Sequence, residues 1–153
     1  MPSLTNEEVV RRYADAHARH DYDALGELRS ATWYEEWPQS GERVRGHAND
    51  HAIMRNWPGG DPEANDVRIV GSEDRWILTP SWTMQRVAGS GEEWWMDAMA
   101  TYPDGSTWFV AGFFRIRDGQ VQHERWFFGP SLEAPAWRAE WVERFDPRER
   151  SHD

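Results

Sequence analysis

The chain has 153 residues, no cysteine and a formal charge of -10 at neutral pH. That length suits one domain with a sizeable core, here read as a single unit over residues 1–153. The acidic balance argues against a nucleic-acid or anionic-membrane partner, and the lack of cysteine excludes disulfides, thiolate nucleophiles and Cys-ligated metals.

No apolar run is long enough to predict a membrane-crossing helix. The opening residues, MPSLTNEEVV, carry neither the basic nor the apolar region of a secretory signal, so the expected location is the cytoplasm. Thr5 and Glu8 form a capping box that starts a first helix, with Val9, Val10, Tyr13, Ala14 and His17 on one face. Asp21 caps a second, shorter helix whose apolar side is Tyr22, Leu25 and Leu28. A strand, WYEEWP, stops at Pro38, because proline cannot donate to a ladder. QSG makes a turn and ERVRG a short second strand. A third helix, HANDHAIMRNW, follows Gly46 and ends before Pro58.

Beyond Gly60 the apolar period changes to two. It predicts strands near 66–72, 75–88, 93–102, 107–117 and 120–128, separated by the turns SEDR, AGSGE, PDGS and RDGQ. APAWRAEWVERF reads as a C-terminal helix with Pro135 near its first turn, docked by Ala136, Trp137, Trp141 and Phe145. Helices gather at one end and strands at the other, which implies an α+β fold. Strand 107–117 is apolar on both faces, with Phe109, Ala111 and Phe113 on one and Trp108, Val110, Phe114 and Ile116 on the other. One face can cover the helices, and a second subunit is the expected cover for the other.

Eleven residues are tryptophan. Trp33, Trp37, Trp76, Trp82, Trp94, Trp95, Trp108 and Trp126 fall in the strand-like region or beside its turns, and Trp57, Trp137 and Trp141 in helical patterns. Two explanations stand side by side: an aromatic-walled cavity for a small organic ligand, or a Trp-rich core with a dimer interface.

The element order and four strings, VVRRYADAHARHDYDAL, WPQSGERVRGHAN, FFRIRDGQVQHERWFFG and EAPAWRAEWVE, resemble the nuclear-transport-factor-2-like superfamily, and within it the SnoaL-like branch. The resemblance spans essentially the whole chain. It implies a cone-shaped half-barrel: three N-terminal helices packed on a strongly curved, mostly antiparallel sheet, a short C-terminal helix, a deep pocket and a homodimer formed through the sheet. The implied activities range over polyketide cyclisation, ketosteroid isomerisation, epoxide hydrolysis, dehydration and plain ligand binding, so the fold leaves the chemistry open.

By that resemblance Tyr13 takes the place of a hydrogen-bonding tyrosine able to stabilise a developing oxyanion. The residues alone also allow a tyrosine satisfied locally on the apolar face. The isomerases' general base falls at Trp37, their second oxyanion donor near Ala111, and the cyclases' acid/base aspartate at Trp126. Indole accepts no proton at neutral pH, so Trp126 is no substitute base. Three other carboxylates are candidates. Asp97 lies in the apolar strand EWWMDAMATY and shares a face with Trp95, where desolvation would raise its pKa; a paired acid on the dimer face is the alternative. Glu35 shares a face with Trp33 and Trp37, unless it faces solvent. Glu124 shares one with Trp126 and Phe128, and an ion pair with Arg115 is its plain alternative. Trp37, Trp57, Trp82, Trp95, Trp126 and Phe128 are the candidate ligand contacts.

His47, Asp50 and His51 read as a solvated helix start. His47 and His51 have the spacing of metal ligands on one helix face but no third partner, so no metal or cofactor is expected. His17 and His20 are too sparse for a metal site, and His123 faces away from Glu124. The expected function is binding of a small apolar or aromatic molecule, either by a cofactor-independent cyclase, isomerase or dehydratase, or by a non-catalytic carrier or sensor. A protein-interaction domain is the weaker third reading.

Overall fold

The capping box forms at the start of the first helix, α1 (Asn6–Ala18). The Glu8 amide donates to the Thr5 hydroxyl at 3.2 Å, and the Thr5 amide donates to the Glu8 carboxylate at 2.7 Å. The computed structural model describes residues 4–70, 75–78, 84–87 and 91–147. Asp21 caps α2 (Tyr22–Leu28), accepting from the Ala24 amide at 3.0 Å. Between the two helices His20 takes a left-handed backbone, φ 53°. A side chain is strained there, and residues held this way gather at functional sites.

β1 (Arg29–Trp37) and β2 (Glu42–Arg45) precede α3 (His47–Arg55). The rest is strand: β3 (Glu63–Val70), β4 (Arg75–Leu78), β5 (Met84–Val87), β6 (Glu93–Thr101), β7 (Thr107–Arg117) and β8 (Gln120–Pro130). The main sheet runs β2-β1-β8-β7-β6-β3. Every pairing in it is antiparallel except β1 with β8, which joins the first strand to the last. β2 and β3 are edges, so the sheet is an open, curved half-barrel of α+β type. The β7–β8 hairpin turns on Asp118 and Gly119, with φ 54° and 72°. Two positive φ values are what a type I′ turn requires.

α1 packs into the concave face against β7 and β8. Val9, Val10 and Tyr13 from the helix bury themselves on Phe114, Ile116 and Val121 from the sheet. Alternation along β6 puts Trp94, Met96, Ala98 and Ala100 inward. Along β7 it puts Gly112, Phe114 and Ile116 inward. Gly112 has to be small, because a Cβ there would sit 2.9 Å from Phe114 and from the Trp126 ring. The outer face leaves Phe109, Phe113 and Phe127 exposed.

Several expectations change. The run expected as one strand over 75–88 contains β4 and β5, which pair with each other in a separate sheet. The first strand starts at Arg29, earlier than Trp33. The C-terminal helix is a single 3₁₀ stretch, Ala136–Trp141, and it does not dock: Trp137, Trp141 and Phe145 are each more than 70% exposed. So short a segment gains little helical stability unless an apolar face is buried.

Candidate functional site

The concave face and the helices enclose a cavity of about 150 Å³. That is room for one benzene-sized ring. Its apolar wall is built from inward positions of four strands: Trp37 on β1, Met96, Ala98 and Ala100 on β6, Val110 on β7, and Trp126 and Phe128 on β8. Trp126 stacks on Phe128 at 6.4 Å, and Phe128 meets the edge of Trp37 at 6.4 Å. Trp57 and Tyr102 add a second edge-to-face pair at 6.1 Å.

Two polar groups break this wall. The more deeply buried one is Glu35 with Asp50, only 4% and 3% exposed. Behind them lies Arg29. Its guanidinium donates to Asp50 at 2.5 Å, to the Tyr13 hydroxyl at 2.6 Å and to His47 Nδ1 at 2.8 Å, and it lies 3.8 Å over the Trp33 ring. Arginine has no acceptor, so His47 Nδ1 must accept and the imidazole proton sits on Nε2. The Trp126 indole donates to the buried Glu124 carboxylate at 2.9 Å.

This cluster has three buried carboxyl groups, Glu35, Asp50 and Glu124, and one buried guanidinium, Arg29. Burial, and then the charges of Glu124 and Asp50, push the Glu35 carboxyl well above the usual carboxylate range, against the pull of Arg29. These neighbours favour the protonated form of Glu35, the form that can give up a proton. Burial also lowers His17 and His47. Burial, and then Glu124, raise the Tyr13 phenol. Glu35 Oε1 and His17 Nε2 are buried without a protein hydrogen-bond partner, and both residues line the cavity.

The second polar group is more exposed. The Tyr22 hydroxyl donates to Asp61, and His20 Nδ1 lies 3.6 Å from the same Asp61 oxygen. All three residues line the cavity. Burial raises the Asp61 carboxyl, with His20 opposing.

The candidate residues thus separate. Glu35, Trp37, Trp57, Trp126 and Phe128 border the cavity. Glu124 stands one layer behind, joined to Trp126. Tyr13 is fully buried in the core, with its hydroxyl turned to Arg29 instead of the cavity. Asp97 and Trp95 alternate with the inward Met96 and Ala98, so β6 carries them to the convex face, away from the cavity. Trp82 lies outside the described residues.

Asp50 departs from the solvated position expected of it, because an ion pair with Arg29 compensates its burial. The plain alternative for Glu124 does not form, since Arg115 pairs with Glu93 at 2.6 Å. Arg29 was missed because the strand was expected to begin at Trp33, and the alternation is broken between Arg29 and Tyr34 by a register shift. The His20–Tyr22–Asp61 group had no legible signal, since Asp61 lies 39 residues from Tyr22.

The description that matches this sequence is the SnoaL-like domain, over residues 10–124. No curated protein matches. Among solved structures, a nuclear-transport-factor-2-like protein of unknown function from Burkholderia xenovorans is 28% identical, over 92% of this chain and 94% of that one, with a TM-score of 0.69. A candidate ketosteroid isomerase from Kribbella flavida is 21% identical over 90% and 87%, with a TM-score of 0.64. A candidate polyketide cyclase from Pseudomonas putida is 18% identical over 81% and 91%, with a TM-score of 0.59.

Proposed function

Because the chain belongs to the family of SnoaL-like domains, we propose that it binds a small, largely apolar or aromatic molecule in the concave cavity and moves a proton on it without a cofactor, as a cyclase, isomerase or dehydratase. One observation carries the catalytic half: Glu35, whose protonated form is favoured by burial and by neighbouring carboxylates, borders the cavity beside its aromatic wall. Its unpartnered Oε1 is the atom that meets the ligand. Arg29 and Asp50 act through Glu35 and set its position and charge. Trp126 and Phe128 hold the ring of the ligand.

A second reading, a carrier or sensor without chemistry, is favoured by Trp37, Ala111 and Trp126, which occupy the positions where the resemblance puts catalytic carboxylates. The first test identifies small molecules that co-purify with the protein. Their binding should quench tryptophan fluorescence, and Trp126→Ala should weaken it by about 1–3 kcal/mol, the range of an aromatic anchor. Unchanged affinity in Trp126→Ala would remove the cavity as the site. If the molecule is turned over, Glu35→Gln should slow the reaction about 100-fold or more. An equal rate would remove Glu35 as the acid, and a bound molecule that is not turned over leaves the carrier reading.

A further inference from the structure

The charges around the cavity specify more than a hydrophobic ligand. Resting on the binding reading above, we infer that the ligand is a small organic cation: a protonated amine attached to one apolar ring.

The cavity wall presents the carboxyl groups of Glu35, Asp50 and Asp61, and no lysine or arginine among the described residues. The one buried guanidinium, Arg29, is behind Asp50 and does not reach the cavity. Glu124 adds a further buried carboxyl one layer back. The nearby histidines offset these acids only in part: burial lowers His17 and His47 and favours their neutral forms, and His20 lies 3.6 Å from Asp61 alone of the three wall acids. Burial and the neighbouring acids favour a proton on Glu35. An ammonium group offsets the acids differently: it donates to the carboxyl of Glu35, which borders the cavity, and lets that carboxyl ionise.

The remaining wall suits the same ligand. Trp37, Trp57, Trp126 and Tyr102 border the cavity, and aromatic faces attract a desolvated cation by about 2 kcal/mol or more. The chain's charge of -10 also draws cations toward it. An anionic ligand would meet three acids and, among the described residues, no lysine or arginine. A neutral alcohol would accept from Glu35 but leave the negative excess in place.

Three probes of nearly the same shape separate these cases: benzylamine, benzyl alcohol and benzoate. Each is titrated into the intact protein at pH 7.5 and low salt, following tryptophan fluorescence and calorimetry. Benzylammonium should bind about 10-fold or more tightly than benzyl alcohol, and benzoate should not bind measurably. Binding of the amine should release a proton from Glu35, so its measured enthalpy should vary with the ionisation enthalpy of the buffer. The groups that set this titration are Glu124, Asp50 and Arg29, with Tyr13 and His17 on α1 and His47 on α3 beyond them. Glu35→Gln should abolish the proton release and bring amine and alcohol within about 3-fold of each other.

Equal or tighter binding of benzyl alcohol, or any preference for benzoate, overturns the cation assignment and leaves the cavity reading intact. Amine binding without proton release overturns the role of Glu35. If none of the three binds, the cavity reading itself falls, and this inference with it. The probe series on the unmodified chain decides the matter even if the Glu35→Gln protein fails to fold.

Discussion

Glu35→Gln should change how stability depends on pH. In the folded chain Glu35 keeps its proton to well above the ordinary glutamate value of 4.5. In the unfolded chain it ionises near that ordinary value. Between the two values the folded state binds more protons than the unfolded state, so stability falls as pH rises. The slope is about 1.4 kcal/mol per pH unit for one proton. Glutamine keeps the shape and cannot ionise.

His17 and His47 act in the opposite sense. Their folded pKa values are lowered, so their contribution is full above the ordinary histidine value and declines as pH falls below it. Comparing the two proteins cancels this histidine term. Urea unfolding of both at several values from pH 5 to 8 gives the stability difference as a function of pH. Glu35→Gln should gain on the parent steadily as pH rises. A difference that stays flat over this range means that Glu35 is ionised in the folded protein, and the neutral-acid argument fails.

Three more outcomes follow from the packing. Arg29→Met leaves Asp50 buried without its cation and should cost about 3–5 kcal/mol, measured by thermal or urea unfolding; Asp50→Asn in the same chain should recover part of it. Gly112→Ala forces Phe114 or Trp126 to move and should cost about 1–3 kcal/mol, with a shift in the tryptophan emission. The exposed Phe109, Phe113 and Phe127 on the convex face are proposed to bury about 1,200 Å² or more against a second copy. Light scattering should therefore give a dimer that Phe113→Asp dissociates, and a monomeric parent at micromolar concentration would refute this.

Local chemistry was legible without coordinates. The Thr5–Glu8 box, the Asp21 cap and the Asp118-Gly119 turn each depend on residues within a few positions of one another, so the sequence alone placed α1, α2 and the β7–β8 hairpin. Strand alternation also fixed which residues share a face: Glu35 with Trp37, and Glu124 with Trp126. Alternation cannot tell which of two apolar faces turns inward. That depends on how the sheet curls over α1, and it moved Asp97 and Trp95 outward and Glu35 in. The acid cluster was beyond local reading for the same reason. Arg29, Asp50 and Glu124 belong to a strand, a helix and a distant final strand. A charge is retained in the interior only where another element supplies its partner, so the meeting of Arg29 with Asp50, and the burial that raises Glu35, are properties of the tertiary structure alone.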